Sequence, residues 1–203
     1  MALNKNVYNE YRNAFEQNCF RLFVEAYQIS LTEKVIQLDW IENDISYELY
    51  EKIEKNPVRI RKYKISISPE FRIPKNVAKI KGFSDKLPRI DLRMSHFAIK
   101  QEFKCFFEAK RLKEKDSGLK RAYIDEGIDR FITEKYPIGC VLGYLLEGDP
   151  EKTRIGINKI LVKRKRNGEV LLPRTNKIFQ FYYESNHPQI GIIKHLIFDF
   201  TAL

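Results

Sequence analysis

Cysteine is scarce in this chain: Cys19, Cys105 and Cys140 lie far apart, odd in number and without a C-x-x-C pair. That spacing excludes a disulfide framework and a cysteine zinc site, and makes a reducing, cytoplasmic compartment the expectation. Histidine is scarce too, three in 203 residues. His187 and His195 lack the spacing of a zinc site, so no zinc is expected, and lone histidines beside strands read as structural. No run of about 18 apolar residues occurs, which argues against a membrane-spanning helix. The start, MALNKNVYNEYRNAFEQN, has no uninterrupted apolar core and is not expected to be a signal peptide. Internal repeats, low-complexity tracts and linkers are missing as well, so one domain spanning 1–203 is the expectation. Acidic residues are in deficit, 27 against 37 basic ones, for a net charge of +10. Such a charge biases a protein towards polyanions such as nucleic acid.

What is present suits a packed core: 43% hydrophobic and 13% aromatic residues. Three- and four-residue steps from Val7 to Ala26 predict a helix over 7–29, and Ile41, Ile45, Leu49 and Ile53 predict another over 41–55, stopped at Asn56-Pro57. RIRKYKISI, 59–67, alternates basic or polar with apolar and predicts a strand with one wet face. PRIDLRM, 88–94, predicts a short strand, and a loop over 95–100 leads into a second strand, QEFKCFFEAK. A helix is predicted over 117–135, ended by Tyr136-Pro137, then a buried strand over 139–146 and a helix over 149–166. Two late strands, IFQFYYES and IIKHLIFDF, close the chain. The mixed order predicts an α/β domain with a mixed central sheet flanked by helices, plus an N-terminal helix and a C-terminal α/β extension.

FFEAKRL, Phe106 to Leu112, is the informative stretch. Period-two alternation puts Phe103, Cys105, Phe107 and Ala109 on one face of the strand and Phe106, Glu108 and Lys110 on the other. Pairing across the loop sets Asp91, itself between Ile90 and Leu92, opposite Glu108. The rival triplet Glu102-Phe103-Lys104 lies roughly 15–20 Å further along, at about 3.3 Å per residue. Two facing carboxylates repel unless a cation holds them, and Mg²⁺ takes one or two carboxylates, waters and a phosphate oxygen. The Ala109 carbonyl is a further oxygen donor, and Lys110 can orient or help deprotonate a water. The bland alternative is a cross-strand ion pair with a second acid nearby.

PRID followed, after a gap, by FFEAK resembles the PD-(D/E)XK nuclease superfamily, which includes many restriction endonucleases. Glu108, Ala109 and Lys110 match the second half of the motif; in the first half Arg89 and Ile90 separate Pro88 from Asp91. YIDEGIDRF, VLGYLLEGD, SNHP and HLIFDF are similar to restriction-endonuclease-like proteins of bacterial defence loci, so the resemblance spans roughly Trp40 to Phe200. It implies an α-β-β-β-α-β core and a Mg²⁺-dependent endonuclease acting on DNA, with Mn²⁺ substituting, in defence against foreign DNA. It implies that Asp91 and Glu108 bind metal, with the Ala109 carbonyl, and that Lys110 serves the attacking water. Members often add an acid from the first core helix; Glu42 is the candidate, with Glu48 and Glu25 as rivals. Arg130 and the run Lys163, Arg164, Lys165 and Arg166 then become phosphate contacts, which position DNA without reading its sequence. Gly127 reads as a close-packing position. Double-strand cleavage needs two active sites, so a homodimer or partner subunit is expected. The alternative function is a non-catalytic nucleic-acid-binding subunit.

Overall fold

The computed structural model describes residues 5–74, 81, 83–133, 137 and 139–203. Helix α1, Lys5–Glu33, buries Phe15, Cys19, Leu22, Phe23 and Ala26 at the expected steps and ends where Lys34 turns to φ 53°. Helix α2, Glu42–Lys55, carries Glu42 and Asp44 in its first turn and Lys52 and Lys55 in its last, which complements the helix dipole. Its stripe of Ile45, Leu49 and Ile53 is fully buried.

The strand expected over 59–67 is not there. Arg59–Tyr63 forms a wide helical turn that Lys64 closes at φ 53°, and strand β1 runs Ser66–Arg72 instead. The cause is Arg59, which points inward. Its guanidinium donates to the carbonyls of Ile53 at 3.1 Å and Glu54 at 2.9 Å in the last turn of α2 and of Ile65 at 2.7 Å just before β1, tying the helix end to the strand. The alternation of RIRKYK therefore counted a buried cap as part of a solvated face.

Strands β2, Arg89–Ala98, and β3, Gln101–Lys113, form an antiparallel hairpin. The predicted loop over 95–100 shrinks to Ile99 and Lys100, both at positive φ (47° and 63°), as a two-residue turn requires. Neither residue advertises such a turn, so the sequence suggested a longer loop. Helix α3, Ser117–Ala122, is capped by the Asp116 carboxylate, which accepts from the Gly118 and Leu119 amides at 2.7 and 3.0 Å. A wide turn over Tyr123–Ile128 continues into α4, Asp129–Ile132. The predicted end of this helix at Tyr136-Pro137 falls largely on residues outside those described. Strand β4, Cys140–Glu147, follows, then α5, Pro150–Lys163, capped by Asp149. A short β5, Leu172–Pro173, was not foreseen; β6, Tyr182–His187, starts later than IFQFYYES suggests, and β7 is Gly191–Asp199.

The seven strands make one sheet in the order β1-β2-β3-β4-β7-β6-β5. β2 runs antiparallel to both β1 and β3, and β4 runs parallel to both β3 and β7. The fold is therefore α/β with a mixed sheet. One core gathers α1, α2 and the sheet face bearing Phe107 and Ala109; the other gathers Tyr123, Ile128, Phe131, Ile157 and Leu161 against the opposite face. All three cysteines are free and buried. Among the described residues no helix is long and apolar enough to cross a membrane.

Candidate functional site

Strand β3 is flanked on both sides, by β2 and by β4, so charges near its C-terminal end are held inside the sheet. The β2–β3 register ends at the Leu92–Phe107 pair, and just beyond it Asp91 lies near enough to Glu108 for its charge to be felt there. The Asp91 carboxylate accepts the Ala109 amide at 2.6 Å. Glu108 is fully buried and Lys110 only 5% exposed. The Lys110 ammonium donates to Glu42 Oε1 at 2.7 Å, Glu108 Oε1 at 3.1 Å and the Ala109 carbonyl at 2.6 Å, which uses its three protons. Glu42 is anchored by its second oxygen on the Arg111 amide at 3.1 Å. Arg130, from α4, closes the cluster with an ion pair to Glu108 Oε1. Gly127 lets the wide helical turn approach, since a Cβ there would meet Val141 Cγ1 at 3.2 Å and Lys110 Cγ at 3.4 Å.

The electrostatics of this cluster are those of a strained charge group. Burial, then the charge of Asp91, pushes the Glu108 carboxyl up to about 7. Burial likewise raises Asp91 against the pull of Lys110 and the Ala109 amide. Burial alone would lower Lys110, but Glu108, Glu42 and Asp91 outweigh it and hold the ammonium above its ordinary value. Lys110 therefore stands as a cation at neutral pH, positioned to orient a ligand rather than to take a proton.

Whether Mg²⁺ fits rests on one atom. Glu108 Oε2 is buried and has no hydrogen-bond partner among the described residues, a state that costs about 1–3 kcal/mol or more for a charged group. A cation shared with Asp91 would satisfy it. Among the described residues no group of three or more histidine, cysteine, aspartate or glutamate side chains is disposed to hold a metal. Two carboxylates, Asp91 and Glu108, would be the side-chain donors offered to Mg²⁺, an ion that keeps several of its waters; such a pair suits zinc poorly.

Glu42, Asp91, Glu108, Ala109, Lys110 and Arg130 come together as the sequence suggested. Glu48 pairs with Lys52, and Glu25 accepts from Asn56, so both rivals of Glu42 are engaged elsewhere. In the basic run, Arg164 pairs with Asp125, and Arg166 with Asp129 and Glu169, while Lys163 and Lys165 are exposed. Arg111 went unremarked in the sequence; its amide anchors Glu42 and its guanidinium donates to the Trp40 carbonyl at 3.2 Å. A backbone anchor leaves no trace in side-chain pattern.

His187 and His195 belong to a separate buried chain. Ser185 Oγ lies 2.6 Å from His187 Nε2 and 2.7 Å from His195 Nε2. His187 Nδ1 reaches Glu169 at 2.7 Å, and His195 Nδ1 reaches the Tyr123 hydroxyl at 2.9 Å. One direction satisfies every member with both rings neutral: Tyr123 donates to His195, His195 to Ser185, Ser185 to His187, and His187 to Glu169. Burial, then the neighbouring His187, lowers His195 to about 3. A base held below its unfolded value excludes a proton that the unfolded chain takes up, so stability falls as pH drops below about 6.5. His195→Gln should therefore cost stability at pH 7, and the gap from wild type should narrow by up to about 1.4 kcal/mol per pH unit below that point. Chemical denaturation at pH 7, 6 and 5 checks this; a gap independent of pH contradicts it.

Compared with protein-family models, curated proteins and solved structures, the chain matches none.

Proposed function

We propose that the chain is a Mg²⁺-dependent endodeoxyribonuclease with a restriction-endonuclease-like core. The observation that carries this reading is the buried Asp91–Glu108–Lys110 cluster with its partnerless carboxylate oxygen. A buried ion group without a role is weak support for stability, and hydrophobic replacements are often neutral or better. The order α2, β1, β2, β3, α3–α4, β4, with β3 parallel to β4, supports the fold part of the proposal.

Asp91 and Glu108 would hold Mg²⁺, which when bound lowers the pKa of its water and offsets charge on a phosphoryl oxygen. The chain's own residues do the rest. Lys110 fixes the Glu108 and Glu42 carboxylates and presents a cation beside the reacting phosphate. Glu42, tied to Lys110 and the Arg111 amide, keeps that ammonium in place. Arg130 holds Glu108, pairs with Glu126 at 3.7 Å and adds positive charge beside the site. Lys163 and Lys165 supply backbone contacts to DNA, and defence against foreign DNA, in a cytoplasmic setting and through a homodimer or partner subunit, is the context proposed.

Titration with Mn²⁺, followed by its own paramagnetic signal, tests the metal site. Wild type should bind, more tightly at pH 8 than at pH 6 because the Glu108 carboxyl titrates near 7. Asp91→Ala should lose at least tenfold in affinity, and equal binding by both proteins would rule the site out. The second reading, a non-catalytic nucleic-acid-binding subunit, is favoured by one observation: Lys110 is already saturated by Glu42, Glu108 and the Ala109 carbonyl. A folded protein that binds DNA but no metal would move the assignment there.

A further inference from the structure

Beside the acid cluster, between α2 and the β1–β2 pair, lies a half-open pocket of about 250 Å³. Asn43, Asp44 and Tyr47 of α2 line one side, Pro69 and Glu70 of β1 another, and Asp91 stands at its edge. Drug-sized ligands fill about 300–1,000 Å³, so this space suits something smaller. Tyr47 is 56% exposed, and its ring is backed by Tyr50, with centroids 5.6 Å apart. An exposed tyrosine alone is unremarkable. One in contact with a second ring, tilted 47° to it, and lining a pocket together with a proposed catalytic acid offers a face for a base to stack on.

The charge of the pocket selects its occupant. Asp44, Glu70 and Asp91 repel a phosphate but accept hydrogen bonds from exocyclic amino groups and ring N–H groups. Asn43 can both donate to and accept from a base edge. A second cavity, of about 260 Å³, begins on the other side of Asn43 and runs past Glu42 to Lys110 and Arg111. Lys110 and Arg111 line it together with the carboxylates of Glu42 and Glu126, so it carries charge of both signs, unlike the wholly acidic Tyr47 pocket. Asn43 lines both cavities, which carry Asp91 on one side and Lys110 on the other.

We propose that the Tyr47 pocket takes one unpaired nucleobase of single-stranded DNA, stacked on Tyr47 with its polar edge towards Asn43 and Asp44, next to the scissile phosphate. A base inside a duplex is covered on both faces and paired along its edge, so it cannot enter without being unstacked. The inference rests on the nuclease reading for its placement at the scissile bond, and it adds the substrate class: single strands or unpaired segments.

The test is binding in chelator, where nothing is cut, of a labelled single-stranded oligonucleotide and of its duplex, with 2-aminopurine fluorescence reporting stacking. Tyr47→Ala should weaken single-strand binding about 5- to 150-fold, the range expected for one lost base–aromatic stack. It should also relieve 2-aminopurine quenching and leave duplex binding unchanged, while Tyr47→Phe stays near wild type. Failure of wild type to bind single strands, or an equal effect of Tyr47→Ala on both forms, overturns the pocket. Cutting in Mg²⁺ separates the two claims. Metal-dependent cutting of duplex that Tyr47→Ala leaves intact overturns this inference and spares the nuclease. Tyr47-dependent single-strand binding without cutting in Mg²⁺ or Mn²⁺ supports the base pocket and overturns the nuclease.

Discussion

Glu108→Gln is expected to make the metal-free protein more stable at pH 8 while removing its response to Mg²⁺. The wild-type carboxyl is raised from an ordinary 4.5 to about 7 by burial and by Asp91. A carboxyl whose folded pKa is raised contributes stability that is fully present below the unfolded value and lost as pH rises through the folded one. At pH 8 the loss is complete, on the order of 3 kcal/mol for a gap of this size. Glutamine keeps an acceptor for Lys110 and Arg130 and carries no charge to desolvate, although its amide brings a donor to the position where Oε2 had no partner. The net effect should be a melting temperature higher by about 2–4 °C per kcal/mol recovered. At pH 5 the wild-type carboxyl is already neutral and the two proteins should melt together. Thermal unfolding at the two pH values reads both effects; a variant less stable at pH 8 than at pH 5, relative to wild type, would contradict this account of Glu108. Function and stability would then conflict at one residue, as is common where a site needs a charge that the fold resists.

Lys110→Met is expected to destabilise the protein by about 3–5 kcal/mol at pH 8, because removing one partner leaves buried carboxylates uncompensated. Glu108, Glu42 and Asp91 all favour the ammonium, and Glu108 would keep Arg130. The penalty should shrink at pH 5, where Glu108 is protonated in the fold. Adding Glu108→Gln should restore much of the lost stability at pH 8, which a simple packing defect at position 110 would not allow. Equal losses at both pH values, or no rescue in the double variant, would show that Lys110 matters for its methylene stem alone.

Much of the fold could be read from the sequence where residue spacing and packing agree. Helices α1 and α2 were legible because Phe15, Cys19, Leu22, Ile45, Leu49 and Ile53 all meet one core. The cluster was legible because strand alternation in β3 places Glu108 and Lys110 on one face, and because Asp91 interrupts an apolar strand. What failed depended on tertiary capping or backbone conformation. Arg59 reads as solvated until α2's terminal carbonyls are known to surround it. Ile99 and Lys100 adopt positive φ because the two strands demand it, not because either residue prefers it. Short β5 has too few residues to show a period. Tyr47, proposed above to stack a base, drew no notice because a helix-surface tyrosine has no meaning until the strand beside it is placed.

The most direct measurement is cleavage of supercoiled plasmid and of single-stranded DNA, with Mg²⁺, with Mn²⁺ and with chelator. Wild type would run beside Asp91→Ala and Lys110→Met, each checked for folding by circular dichroism at pH 6.5. The account predicts metal-dependent nicking or cutting that both substitutions reduce at least about 100-fold, the scale of losing one charged catalytic group. Cutting that survives both substitutions, or well-folded wild type that cuts neither substrate with either metal, would contradict it.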